Sequence, residues 1–226
     1  MMKPNLARIL ESLPQAFSDG LTVESVFGHT TLRHQRAGDL IVTSGSIVAC
    51  DPKWIEESTI WPFMTRLALG QYPIILSIAH LARGDHRVAY AILRLGEQVP
   101  VRWDVAMFPK EAKEAAGGGL EDSEEIIGYP VDSGKGCFMD VDAARVWTQK
   151  INTIADYDQR IDDEMDKTGV DTYGWANISL EPDSVANLIA FSTGVGDGTY
   201  ASFFGYDADD SIVCLVTDFA LLWSNE

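Results

Sequence analysis

Residues 191–219, FSTGVGDGTYASFFGYDADDSIVCLVTDF, constrain what this 226-residue chain can fold into more than any other stretch. Gly194, Gly196 and Gly198 supply a turn able to take positive φ. Thr199 to Tyr206 is dense in aromatic and β-branched residues, as a half-buried pleated strand requires. Asp207 to Ser211 then turns the chain, because Asp side chains accept hydrogen bonds from their own backbone. Ile212 to Thr217 follows as a nearly unbroken apolar run, suited to a strand covered on both faces. The stretch predicts a β-hairpin central to the core.

The rest of the chain extends this pattern. Pro4 to Phe17 reads as a short amphipathic helix with Leu6, Ile9, Leu10 and Leu13 on one stripe, limited by Pro14. Leu40 to Val42 and Ser46 to Cys50 are short apolar runs around Gly45, the second stopped by Asp51-Pro52. Ile74 to Leu81 and Arg87 to Leu95, joined through Arg83-Gly84-Asp85, predict a second hairpin. Val101 to Phe108 reads as a further strand, with Trp103, Val105 and Met107 alternating against Asp104 and Ala106. Lys110 to Ala116 reads as a helical turn or two before Gly117-Gly118-Gly119 and an acidic loop, EDSEE. A helix from Val141 to about Lys167 is the best periodic element, with Ala144, Trp147, Ile151, Ile154, Ile161 and Met165 on one stripe. The expected fold is therefore α+β: mainly antiparallel hairpins around one core, one long helix over about 141–167 and a short N-terminal helix, as one domain over residues 1–226. The regular βαβ alternation of a Rossmann-like parallel sheet is missing.

Charge narrows the function classes. The formal net charge is −17, and residues 151–226 hold fifteen acidic residues against Arg160 and Lys167. Such a polarised field repels nucleic-acid phosphates and anionic lipid, and it steers a basic partner toward the surface; it also serves plain solubility. No run approaches the roughly 18 apolar residues of a membrane-spanning helix. Glu11 and Pro14 interrupt any signal-peptide apolar region, which predicts a cytoplasmic protein. Cys50, Cys137 and Cys214 are odd in number and far apart in sequence, a pattern that predicts reduced, buried thiols rather than a disulfide framework or a zinc site.

Several motifs carry two readings each. VDSGKGCFMD, residues 131–140, reads either as a ligand cradle built on Gly134 and Gly136 or as a tight turn leading to a helix capped by Asp140 or Asp142. It is not a phosphate loop, since Gly128 and Gly134 have five residues between them rather than four and Gly136 stands where Ser or Thr should follow Lys135. Asp158 falls on the apolar stripe of the long helix, so it is either matched to a cation or marks where the helix leaves the core. Asp156, Asp162, Asp163, Glu164 and Asp166 occupy the other faces, as solvated surface or as a docking face for a basic partner. Asp207, Asp209, Ser211 and Asp218 match calcium-loop positions, but Ile212 stands where the loop needs Gly. Gly194-Val195-Gly196-Asp197-Gly198 has its third Gly misplaced for a dinucleotide fingerprint. His29, His34, His80 and His86 lack metal-ligand spacing, and His80 reads as a core histidine at a strand end. Asp132, Asp140, Asp197 and Asp218 are a further, scattered candidate for a carboxylate site. No cofactor or metal is expected.

The blocks GSIVACDP (45–52), GQYPIILSIA (70–79), RVAYAILRL (87–95), RWDVAMF (102–108), VDSGKGCFMD (131–140) and GVGDGTYASFFGYDADDSIVCLVTDF (194–219) together resemble an uncharacterised, largely bacterial family, domain of unknown function 4241, over Gly45 to Phe219. The chain departs from that pattern at Asp209-Asp210, where a turn Gly is expected, and in its long acidic helical segment. The resemblance implies a shared fold and brings no catalytic residues with it. From the residues themselves, the leading expectation is an immunity protein that neutralises a basic secreted bacterial toxin through Asp156, Asp158, Asp162, Asp163 and Asp166. The alternative is an enzyme or small-ligand binder whose site unites Asp132, Ser133, Gly134 and Asp140 with Asp197 and Tyr200. Neither nucleic acid nor membrane is an expected partner.

Overall fold

The computed structural model describes residues 6–25, 27–109, 128–170, 172–180 and 186–222. In chain order the elements are α1 (Leu6–Ser12), β1 (Thr22–Ser25), β2 (Gly28–Val42), β3 (Ile47–Cys50), β4 (Gly70–His80), β5 (His86–Arg94), β6 (Arg102–Val105), β7 (Tyr129–Val131), β8 (Lys135–Asp140), α2 (Val141–Thr153), α3 (Gln159–Thr168), β9 (Trp175–Ser179), β10 (Asn187–Ser192), β11 (Gly198–Tyr200), β12 (Ser202–Tyr206) and β13 (Ile212–Asp218). A seven-stranded sheet runs β1-β2-β4-β5-β13-β12-β6 and a four-stranded sheet runs β3-β8-β10-β9, while β11 and β7 form a two-stranded ribbon. The strand pairs are antiparallel.

The two large sheets face each other, with helices on the outside of both. Between them, Ile74, Leu76 and Ile78 of β4 meet Phe138, Ile189 and Phe191, together with Phe204, Leu215 and Phe219. The opposite residues of β4 and β5, Ala79, Tyr90 and Ile92, turn outward against Ile9 and Leu13 of the N-terminal segment. Outside the smaller sheet, Cys137, Met139, Ile178 and Leu188 pack under Trp147, Ile161 and Met165 of α2 and α3. The period-2 alternation of the strands is what sends each residue to one layer or the next.

Both predicted hairpins form. β4 and β5 turn through Leu81–Asp85, with Arg83 and Gly84 at positive φ. β12 and β13 turn through Asp207, whose carboxylate accepts from the N–H groups of Asp209 and Ser211. The expected strand Thr199–Tyr206 divides at Ala201, because β11 joins β7 while β12 joins β13 and β6. β6 is shorter than the expected 101–108, and past Val105 the alternation reverses, with Ala106 buried and Met107 exposed. The N-terminal helix ends at Ser12, and Leu13–Phe17 continues as a 3₁₀ turn with Pro14 in its first positions. The expected helix at 110–116 and the EDSEE loop lie outside the described residues, as does Pro4.

The long helix over 141–167 is corrected to two. α2 stops at Thr153, residues 154–158 turn with Asp156 at φ 55°, and α3 begins at Gln159. An unbroken helix would carry Asp158 into the core on the stripe shared by Trp147 and Ile161. The break instead buries Tyr157, whose ring lies 5.2 Å from that of Trp147, and leaves Asp158 half-exposed at the start of α3. Ile154, expected on the buried stripe, is 48% exposed.

β2, fifteen residues long, is absent from the sequence-based expectation apart from Leu40–Val42. Its register shifts between Arg36 and Gly38, a bulge that bends the strand so that its second half crosses the smaller sheet. There Asn187 donates to the Asp39 carbonyl and accepts from the Ile41 N–H. Gly38, at φ 145°, leaves the space that Asn177 occupies; a Cβ there would lie 2.6 Å from the Asn177 amide nitrogen.

Candidate functional site

The turns of VDSGKGCFMD and GVGDG, distant in sequence, meet at one end of the smaller sheet. β7 pairs with β11, and the Thr193 N–H donates to the Gly134 carbonyl at 3.1 Å. The Gly196 carbonyl accepts from the Tyr200 hydroxyl at 2.7 Å and from Thr193 Oγ1 at 2.8 Å. Burial pushes the Tyr200 hydroxyl above its usual range, against a hydrogen bond with Thr193 and with the charge of Asp197 adding to the rise. Asp132, Ser133, Gly134, Asp197 and Tyr200 are thus brought into one region, with the Asp197 side chain exposed. Asp140 is not among them: it closes the other end of β8.

Two buried carboxylates hold this framework. Asp51, after β3, accepts from Ser133 N at 2.7 Å, Ser133 Oγ at 2.8 Å, Asp132 N at 3.0 Å and Lys53 N at 2.9 Å. Asp140 caps α2 through Asp142 N at 3.0 Å and gathers the N–H groups of Thr43, Ser44 and Gly45 at 2.9–3.2 Å. These N–H groups would otherwise be unpaired, so the carboxylates act as scaffold. Asp218, in β13, accepts from Ala220 N and from the Ser12 hydroxyl and is likewise buried.

The acidic segment is tied to the same framework by lysines. Lys53 Nζ lies 2.7 Å from Asp162 and 3.5 Å from Asp158, and Lys135 Nζ lies 3.0 Å from the other oxygen of Asp162. Burial pushes the Asp162 carboxyl up, but the hydrogen bonds and charges of the two lysines outweigh it and hold the group below its usual range. The hydrogen bond to Asp162 and the charges of Asp162 and Asp158 raise Lys53 above its ordinary value, against the effect of burial. Asp158 is therefore both matched to a cation and placed where the helix breaks. Of the five acidic residues singled out for docking, Asp158 and Asp162 serve this anchor, while Asp156, Asp163 and Asp166 stand exposed.

A further group of polar residues was not singled out by sequence reasoning. Glu56, which caps the 3₁₀ turn Glu57–Thr59, together with Glu57, Ser58 and Asn152 at the end of α2, lines an open cavity of about 520 Å³. Trp54, two residues before Glu56, is 67% exposed. The available signal was the juxtaposition of a Trp with a Glu pair just after the Asp51-Pro52 turn, an unusual place for a large aromatic residue.

Asp207 and the His80–His86 pair take local contacts. Asp207 serves its own turn. His80 is half-buried rather than a core residue, its ring 4.1 Å from that of His86, and desolvation, then the charges of His86 and Arg33, lower it. Among the described residues, no group of three or more His, Cys, Asp or Glu side chains is placed to hold a metal ion. No helix among them is long and apolar enough to cross a membrane.

The family described as protein of unknown function (DUF4241) matches residues 40–217. The chain belongs to the DUF4241 family. The DUF4241 match starts inside β2, just past the bulge, and ends inside β13. It therefore takes in the smaller sheet, α2, α3, both glycine turns and the lysine-anchored acidic segment. α1 and β1 lie outside it. No curated protein and no solved structure matches the chain.

Proposed function

We propose that this protein is a binding module that neutralises a basic protein partner, acting as an immunity protein against a basic secreted bacterial toxin. The observation that carries this reading is the division of labour among the acidic residues. Asp51 and Asp140 are saturated by backbone N–H groups and Asp162 by two lysines, whereas Asp156, Asp163 and Asp166 stand exposed on the segment that Asp162 anchors. Carboxylates held on a firm frame give fast, salt-dependent capture of a cationic surface.

Affinity capture with the intact chain, followed by stopped-flow association with the partner across a salt series, tests the reading. Asp156→Asn, Asp163→Asn and Asp166→Asn together are expected to slow association by about tenfold and flatten its salt dependence, with a smaller effect on dissociation. Asp162 is left in place because its loss disturbs the anchor. An unchanged on-rate in a folded triple variant overturns the proposal. The meeting of the two glycine turns favours a second reading, a small-ligand site around Ser133, Gly134, Asp197 and Tyr200. Asp197→Ala that abolishes binding of a small molecule without lowering Tm would establish it instead.

A further inference from the structure

Cys50 and Cys137, 87 residues apart in sequence, stand directly opposite each other on β3 and β8, with their sulfurs 3.5 Å apart. Both are free thiols; Cys137 is buried and Cys50 half-buried. Directly opposed antiparallel residues have Cα atoms about 4.5–5.5 Å apart, within the span a disulfide bridges. Closing the remaining gap to about 2.05 Å requires only side-chain rotation. β3 is an edge strand of the smaller sheet, so Cys50 is the thiol that solvent reaches.

We propose that Cys50 and Cys137 form a reversible redox site, converted by hydrogen peroxide into a cross-strand disulfide. The Cys50 thiolate attacks one peroxide oxygen and the O–O bond breaks. This leaves a sulfenic acid on Cys50, and the departing hydroxide takes up the proton released by the thiol, forming water. Cys137 then attacks the Cys50 sulfur: the S–S bond forms, the S–O bond breaks, and the hydroxide leaves with the Cys137 proton as a second water. Two thiols and one peroxide become one disulfide and two waters, the protein giving up two electrons. The roles follow from access, since burial pushes the Cys137 thiol up and keeps it from initiating. The bridge ties the strand leading into Asp51 and Lys53 to the strand that begins with Lys135, and so covalently fastens both lysines of the Asp162 anchor. The site does not depend on the partner proposed above.

Cys214 is an internal control: it lies in the core on the outer face of the larger sheet, its thiol pushed up to about 12 by burial. The full-length chain is treated with graded hydrogen peroxide, quenched, unfolded, alkylated and read by mass spectrometry. The parent is expected to lose two of its three alkylatable thiols together, to yield a Cys50–Cys137 linked peptide within one chain, and to recover all three with a dithiol reductant. Cys50→Ser is expected to keep both remaining thiols at the same dose, and Cys214→Ser to cross-link as the parent does. Cys137→Ala is expected to stop at a Cys50 sulfenic acid that dimedone traps. The proposal is overturned if Cys50 reaches the sulfinic acid while Cys137 still alkylates. It is overturned equally if all three thiols survive a dose that oxidises free cysteine, or if the linkage involves Cys214 or joins two chains.

Discussion

Asp140 and Asp142 occupy neighbouring positions, and their surroundings make them opposites. Asp140 is 1% exposed and gathers four backbone N–H groups, whereas the Asp142 side chain is half-exposed and faces Arg145. Asp140→Ala is expected to cost about 3 kcal/mol or more, by leaving buried donors unpaired, and Asp142→Ala under about 0.5 kcal/mol, as urea melts will show. Asp162 has a defined pH window. Its carboxyl is depressed, so its contribution is complete above about pH 4, the unfolded value, and is lost as pH falls through the lower folded value. Lys53 is raised, so its contribution is complete below about pH 10.4 and is lost as pH rises through the higher folded value. The stability gap between the parent and Asp162→Asn is therefore expected to be about 1 kcal/mol near neutrality and to close at both extremes in denaturant titrations. Lys135, on the other oxygen of Asp162, shares in that contribution. Gly136 is held by contact rather than by conformation. A Cβ there would meet Tyr129, Phe191 and Thr193 at 2.9–3.0 Å, so even Gly136→Ala should lower Tm.

At the scale of elements, the broken helix shows tertiary burial overriding local propensity. Trp147 anchors α2: it is fully buried, and its indole N–H donates to the Pro52 carbonyl at 2.7 Å. Trp147→Ala is expected to cost about 3–5 kcal/mol in equilibrium unfolding, from lost packing and an orphaned carbonyl. The periodicity that identified Trp147, Ile161 and Met165 as core was sound on either side of residues 154–158. It failed within them because a 3.6-residue period does not register the cost of burying Asp158. β2 escaped notice for a related reason. HTTLRHQRAGD is polar along most of its length, but Thr30, Leu32, Ala37 and Leu40 alternate into the core, the bulge at residue 37 shifting the phase. Its long backbone is satisfied by β4 on one side, for which only part of it needs apolar side chains.

The whole molecule carries most of its net negative charge in the last third of the chain, part of it on α3 and its flanking turn, outside the smaller sheet. Like charges concentrated in this way oppose compaction, and salt screens them over about 8–10 Å. Raising ionic strength from about 0.01 M to 0.2 M is therefore expected to raise Tm by roughly 2–4 °C, with a smaller rise in the Asp156, Asp163 and Asp166 triple Asn variant. A scanning calorimeter checks both. A fall in Tm with salt would show that the ion pairs around Lys53 and Lys135 outweigh the repulsion.

By itself the sequence determined what is local. The alternation of β4 and β5, the Asp207 turn, a carboxylate cap at Asp140 or Asp142 and the apolar run of β13 all follow from interactions spanning a few residues. Only the tertiary structure decided which sheet each strand joins, that residues 198–206 serve two sheets, and that α2 and α3 separate. It alone brought Lys53 to Asp162 across 109 residues and Cys50 to Cys137 across 87. Composition and periodicity report a residue's preference for burial or turn. Register, ion pairing and thiol proximity depend on where distant segments lie once the sheets have stacked, and no spacing along the chain encodes that distance.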